Sequence, residues 1–152
     1  MTTPHTVHQR PRTSLYLARH TSACPRARHW AATTLTHWKA TGEETNTILL
    51  VMSELVTNAI THATGPIRAH LSRDTAGRYH VQVDDGGPAH QRPQHDDEHG
   101  RGLVLIDHLA DHHGHGRAPY PYRSRAWAVL APAPHSSAEP TVPAARTLEP
   151  AS

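Results

Sequence analysis

The segment TNTILLVMSELVTNAITHA, residues 45–63, combines an apolar pattern of helical period with a polar stripe. At about 100° per residue its apolar side chains fall on one broad arc, which predicts a helix that turns this arc toward a core. Three polar residues, Glu54, Asn58 and His62, follow one another at intervals of four and line up along one edge of the arc. The arc itself consists of Ile48, Met52, Leu55, Val56, Ala59, Ile60 and Ala63.

The polar stripe has two interpretations. A carboxylate and an amide beside a core face lose part of their hydration, which costs free energy unless they find partners. They are either solvated or joined in a local pair between Glu54 and Asn58, or they belong to a site. In a site, Asn58 offers the neutral oxygen that Mg²⁺ accepts as a ligand, and Glu54 is placed to accept a proton from a hydroxyl group. His62, near the helix end, complements the helix dipole.

Two glycine motifs follow. VQVDDGGPA (81–89) ends a strand pattern in acidic residues and glycines, which is either an ordinary turn or a carboxylate delivered to a pocket beside closely approaching backbone. In HGRGLVLIDHLADHHG (99–114), two glycines flank Arg101 before an apolar helical pattern. A glycine pair there is either a flexible turn with a cap or a phosphate site, because free N–H groups and the helix dipole favour an anion.

Composition narrows the class of protein. The 152 residues suffice for one domain with a real core, and no apolar run is long enough to span a bilayer. A single cysteine, Cys24, and the lack of a signal-like start predict a cytoplasmic protein. The formal net charge is +2 with scattered arginines, a weak footprint for nucleic acid, so neither direct nucleic-acid binding nor membrane association is expected.

The order of patterns predicts an α+β fold in which helices cover one face of a mostly antiparallel sheet, a two-layer sandwich. Residues 1–12 are predicted to be a flexible arm, 13–130 the folded domain, and the Pro- and Ala-rich 131–152 a disordered tail. The predicted elements are a strand at 13–19, a helix from a cap at Ser22 to about Lys39, a helix at 44–63 after a break at Gly42, strands at 67–72 and 79–85, a loop at 86–101, a helix at 102–112 and a strand at 124–130.

ELVTNAITHA, VDDGGP and GRGLVLIDHLADHHG, in this order, resemble the N box and the two glycine boxes of the GHKL ATP-binding superfamily. Within it the chain is most similar, over roughly 13–130, to anti-sigma-factor serine kinases and small stand-alone ATP-binding regulators of actinobacteria. The resemblance implies the Bergerat fold, with ATP and Mg²⁺ held between the helices and the sheet.

The resemblance also implies roles for individual residues. Asn58 matches the asparagine that binds Mg²⁺, and Glu54 matches the carboxylate that activates the attacking hydroxyl. Asp84 matches the aspartate that accepts a hydrogen bond from the adenine amino group, with Gly86 beside it. The second glycine box, which wraps the phosphates, matches Gly100, Arg101, Gly102 and Leu103.

The loop 87–101 would be the ATP lid, and the sequence departs from the family pattern on both sides of it. Pro88-Ala89 stands where many members have another glycine. Some related kinases carry an arginine just before the second glycine box to hold the γ-phosphate. That place is acidic or histidine here, and Arg101 is the nearest candidate.

The leading functional interpretation is an ATP-dependent serine/threonine protein kinase, a transferase that regulates transcription as an anti-sigma factor. Its partners would be ATP, a small antagonist protein that it phosphorylates, and a sigma factor. The alternative is a non-catalytic module that binds its partner under the control of ATP. A third class, metal binding through HDDEH (95–99) or HLADHHGH (108–115), lacks a standard ligand spacing. The oligomeric state stays open, a homodimer included.

Overall fold

The architecture comes from a computed structural model that describes residues 10–89 and 100–134, with backbone alone at 100–103. Three helices and five strands lie in this part of the chain. In order they are β1 (Arg12–Leu17), α1 (Ala23–His37), α2 (Gly42–His62), β2 (Ile67–Arg73), β3 (Tyr79–Asp85), α3 (Gly100–Leu109), β4 (His112–Arg117) and β5 (Ser124–Leu130).

The strands form one sheet in the order β1-β2-β3-β5-β4, and every neighbouring pair is antiparallel. Alternate residues of the central strands are buried against the helices, because successive side chains of a strand point to opposite faces. On this inner face lie Ile67, Ala69, Leu71, Tyr79, Val81, Val83, Ala128 and Leu130. The result is the predicted two-layer α+β sandwich.

Helix α2 lies at the centre of the helical layer and contacts α1, α3 and β3. Its predicted apolar arc is largely confirmed, with Val51 added to the buried set and with Ile60 and Ala63 only half-buried. The helix begins at Gly42 rather than after it, because Thr41 and Glu44 form a capping box in which each side chain bonds the other's backbone N–H.

The sequence predicted a helix up to residue 112 and no strand between that helix and residue 124. Both predictions were wrong. Helix α3 ends at Leu109, and β4 follows as an additional edge strand along β5. Histidines and glycines have little preference for strands, so the pairing with β5 determines this structure. A Cβ atom on Gly114 would lie 2.8 Å from the Trp127 ring, so a larger residue there would require this side chain to shift.

The ends of the predicted domain lie partly outside the described residues. Strand β1 begins at Arg12, and of the predicted tail only 131–134 is described. Ser22 is the residue before α1, as predicted, but its side chain makes no capping hydrogen bond. Among the described helices none is long and apolar enough to cross a membrane.

Candidate nucleotide site

The polar stripe of α2 lies on the flank of the helix that faces away from α1. On the α1 side, Thr57 Oγ1 is 3.7 Å from Cys24 Sγ. Glu54 and Asn58 lie on the other side of the buried face, and both are half-buried. No hydrogen bond or ion pair joins these two side chains, so the local-pair interpretation is wrong. Within the side chains that the structure describes, neither has a hydrogen-bond partner, which leaves an amide and a carboxylate one turn apart and available to a ligand.

Helix α3 packs on this same flank. Its last residue, Leu109, lines a small cavity together with Thr47 and Ile48 near the beginning of α2. The backbone of 100–103 forms the first turn of α3, so the second glycine box is a helix N-terminus, whose free N–H groups favour a phosphate. The helix begins two residues earlier than predicted, and residues 90–99 of the predicted lid lie outside the described part of the chain.

The two aspartates that end β3 point to opposite faces of the sheet. Asp84 lies on the outer face and is completely buried. Its carboxylate accepts two hydrogen bonds from Arg125, at 2.7 and 2.9 Å, and one from Arg68 at 3.1 Å; it lies 2.9 Å from His70 Nε2. Burial alone would raise its pKa, but these donors outweigh burial and hold the pKa well below its ordinary value. Asp84 therefore belongs to an ionic cluster that the helices do not face.

Asp85 points to the inner face, in phase with the buried Val81 and Val83. Its Oδ1 atom accepts a hydrogen bond of 2.8 Å from the Gly87 N–H. Burial raises the pKa of Asp85, and the positive charge of Arg19 opposes that rise. A half-buried carboxylate thus lies on the helix-facing side at the end of the central strand.

The chain after β3 is bound directly to the end of α2. Thr64 donates to the Gly87 carbonyl at 2.8 Å and accepts from Gly86 N–H at 2.7 Å, and Ala89 donates to the His62 carbonyl at 3.1 Å. A Cβ atom on Gly86 would lie 2.6 Å from the Thr64 carbonyl oxygen, so only glycine fits this contact. These bonds join the strand end that carries Asp85 to the helix that carries Asn58.

Most elements of the predicted site share one side of the sheet. The α2 flank with Glu54 and Asn58, the glycines after β3 and the N-terminus of α3 are all on the helical side of the sheet. The structure does not bring Asp84 there. Sequence reasoning missed Asp85 and its neighbour across the sheet, Ser124. The alternation of the strand could have indicated this, because residues two apart share a face. Asp85 is two residues after the apolar Val83, whereas Asp84 is only one residue after it.

A Glu and Asn on a central helix, a glycine turn paired with that helix, and a glycine-rich helix start define an ATP-binding domain of the GHKL class. The family model "Histidine kinase-like ATPase domain" matches residues 17–119, and the chain belongs to this family. The sheet packed against helices agrees with the Bergerat fold of these domains. No curated protein matches the chain. Among the described residues, no three His, Cys, Asp or Glu side chains are grouped to hold a metal ion.

Proposed function

We propose that this protein is an ATP-dependent serine/threonine kinase that acts as an anti-sigma factor and phosphorylates a small antagonist protein. The observation that carries the proposal is the pair on α2, with a carboxylate one turn before an amide, both half-buried and unpaired with each other. The pair lies on the flank of α2 against which α3 packs, and α3 begins at the second glycine box. The membership of the histidine kinase-like ATPase family supports ATP as the ligand.

In the proposed reaction a serine or threonine hydroxyl of the partner attacks the γ-phosphorus of ATP. The new bond joins the hydroxyl oxygen to phosphorus, the bond from phosphorus to the β–γ bridging oxygen breaks, and ADP leaves. The hydroxyl proton passes to the Glu54 carboxylate. Most of the rate enhancement in such transfers comes from positioning and from charge stabilisation, which the N–H groups of the first turn of α3 supply at the phosphates.

Asn58 would hold Mg²⁺, which neutralises charge on the phosphates when it is bound. The donor set fits this ion, because Mg²⁺ takes oxygen ligands and keeps several of its waters. The Asn58 amide is half-buried on the flank next to α3. No sulfur or imidazole ligand is required in such a site.

We assign the adenine contact to Asp85 instead of Asp84. The acceptor for the adenine amino group has to lie between the helices and the sheet. Asp85 points there, while both oxygens of Asp84 are occupied by arginines on the opposite face. The glycine beside the adenine would then be Gly87, which has a left-handed backbone (φ 91°), together with Gly86.

Nucleotide titrations of the two aspartate variants test this assignment. Asp85→Asn removes a charge-assisted hydrogen bond, so ATP affinity should fall about tenfold to a hundredfold, as measured by isothermal titration calorimetry. Asp84→Asn is the matched control on the neighbouring residue and should bind ATP as the wild type does, provided that it is folded. Wild-type protein should prefer ATP to GTP, whose ring carries a carbonyl in place of the amino group. Equal affinity for both nucleotides, or a loss confined to Asp84→Asn, would contradict the assignment.

Transfer of labelled γ-phosphate to a protein in an extract of the native cell tests the kinase proposal. Glu54→Gln keeps the shape of the side chain and removes the proton acceptor, so transfer should fall about 10²- to 10⁴-fold, nearer the lower value because positioning dominates. ATP and partner should still bind this variant. A wild-type protein that binds ATP and partner but transfers no phosphate would instead be a sequestering module.

A further inference from the structure

Arg19, in the loop between β1 and α1, caps the C-terminal end of α2 from outside the helix. Its guanidinium donates to the carbonyls of Ala59 at 2.6 Å and Ile60 at 2.8 Å, and to that of Gly65 at 3.2 and 3.0 Å. Carbonyls at the end of a helix carry partial negative charge and often lack helical donors; that of Ala59 also accepts the Ala63 N–H at 3.2 Å. Arginine suits this place because its planar fork presents several donors at once.

The carbonyl of Ile60 shows why an external donor is needed. The N–H that would ordinarily continue the helix to this carbonyl belongs to Thr64, four residues on. Thr64 donates its N–H to the Gly87 carbonyl instead. Arg19 therefore supplies the donor that α2 gives up when its end pairs with the Gly86–Gly87 turn.

The segment that Arg19 holds is the one that positions Asp85. Gly65 is held directly, and Thr64 beside it makes both backbone bonds to Gly86 and Gly87. The side-chain oxygen of Asp85 is in turn bonded to the Gly87 N–H. Hydrogen bonds, together with the peptide link between Thr64 and Gly65, thus connect the Arg19 guanidinium to the Asp85 carboxylate.

We propose that Arg19 is a positioning residue of the nucleotide site, which locks the end of α2 onto the Gly86–Gly87 turn and thereby fixes Asp85. This inference rests on the proposed function, because it assigns Arg19 to the adenine side of the ATP site. Within the described part of the chain, the hydrogen bonds of Arg19 all go to backbone carbonyls.

The charge of Arg19 has a second effect on the same site. Besides burial, the charged groups that act on Asp85 are Arg19 and His115, which lower its pKa, and Asp84, which raises it; the Gly87 N–H bond also lowers it. An ionised Asp85 is the better acceptor for an amino group. Without the Arg19 charge, Asp85 should take up its proton at a higher pH.

ATP titrations across pH 4.5 to 8 in the presence of Mg²⁺ test the proposal with three variants. Arg19→Gln should weaken ATP binding about tenfold, which is the size of effect seen when a residue that supports a metal ligand is lost. ATP affinity is expected to fall at low pH as Asp85 becomes protonated, and in this variant the fall should begin at a higher pH. Arg19→Lys keeps the positive charge but lacks the planar guanidinium, so ATP affinity should fall while the pH at which it declines stays the same. Arg26→Gln, on the exposed surface of α1, is the matched control and should change neither.

Two further measurements separate the outcomes. The comparison of wild type and Arg19→Gln is repeated in a His115→Gln background, so that the His115 imidazole cannot explain the change in the pH at which ATP affinity falls. Circular dichroism establishes that each variant is folded. An Arg19→Gln protein that is merely less stable, with unchanged ATP affinity and no change in the pH at which that affinity falls, overturns the inference while wild-type ATP binding still supports the proposed function. A wild-type protein that binds no ATP overturns the proposed function itself.

Discussion

Replacing Asp84 with asparagine should cost much of the stability of the fold while sparing the nucleotide site. The substitution keeps the size of the side chain but removes the charge that two arginines share. Asp84 is completely buried, and its two oxygens receive three hydrogen bonds from Arg68 and Arg125. In the variant, the amide group of asparagine would point N–H donors at guanidinium donors.

The expected loss of unfolding free energy depends on how far the two arginines that bond Asp84 are exposed to water. Removing one member of a buried ion pair typically costs about 3–5 kcal/mol, because the other charge is left without compensation. Water reaches the arginines, whose side chains are 21% and 22% exposed, so a loss near 3 kcal/mol is expected. For a domain of this size that corresponds to a fall in melting temperature of about 10–15 °C.

The effect should depend on pH in a defined direction. The pKa of Asp84 is lower in the folded protein than in the unfolded chain. Its stabilisation is therefore fully present above the unfolded pKa of about 3.9 and disappears as the pH falls through the folded pKa. The difference in unfolding free energy between wild type and Asp84→Asn should be constant from pH 5 to 8 and shrink below pH 4.

Urea unfolding followed by circular dichroism at pH 7 and at pH 3.5 measures both effects. Asp107→Asn is the matched control, since its carboxylate is 78% exposed beside His113 and such surface pairs contribute about 0–1 kcal/mol. Equal stability of wild type and Asp84→Asn at pH 7 would refute the reasoning about the cluster. An intact fold that has lost ATP binding would place Asp84 in the site after all.

Three other substitutions, the first of them with a matched control, test separate features. Gly86→Ala forces a Cβ against the Thr64 carbonyl, so it should lower both the stability, by about 1–3 kcal/mol, and the ATP affinity; Gly114→Ala, where a side-chain ring can move aside, should cost less and leave ATP binding intact. Glu44→Gln removes a charge that accepts bonds from a helix cap, a buried tyrosine and the C-terminal segment, and should cost about 1.5–3 kcal/mol in urea unfolding, a loss absent for an exposed-residue control. Asn58→Ala should weaken ATP binding in the presence of Mg²⁺ and have little effect when Mg²⁺ is chelated, and equal losses in both conditions would contradict its role as a ligand.

The parts of the fold that sequence predicts are those with strong local periodicity. The apolar arc of α2 and the alternation of β2 and β3 are visible in a few residues each, because burial of one face imposes the period. Strand β4 carries histidines and glycines that match no such pattern. It forms because the free edge of β5 accepts hydrogen bonds, which is a tertiary effect outside the segment itself.

The candidate site shows the same division. Glu54 and Asn58 could be placed on one flank from their spacing alone. The error at β3 was a displacement by one residue, and in a strand one residue exchanges the two faces completely. Arg19 could not be identified at all, because its partners Ala59 and Gly65 are far along the chain and are backbone atoms, which leave no trace in the side-chain pattern.

The bond between Ala133 and Glu44 holds the last described residues against the start of α2. Ala133 N–H donates to Glu44 Oε1 at 3.0 Å, in the first turn of α2. That helix has 21 residues and is therefore about 30 Å long, and Asp85 lies near its other end. A fluorescent label or fusion partner attached after residue 134 would start at the end of α2 remote from Asp85, the proposed adenine contact. A truncation at residue 130 would instead remove a bond from the α2 cap and loosen the helix that carries Glu54 and Asn58.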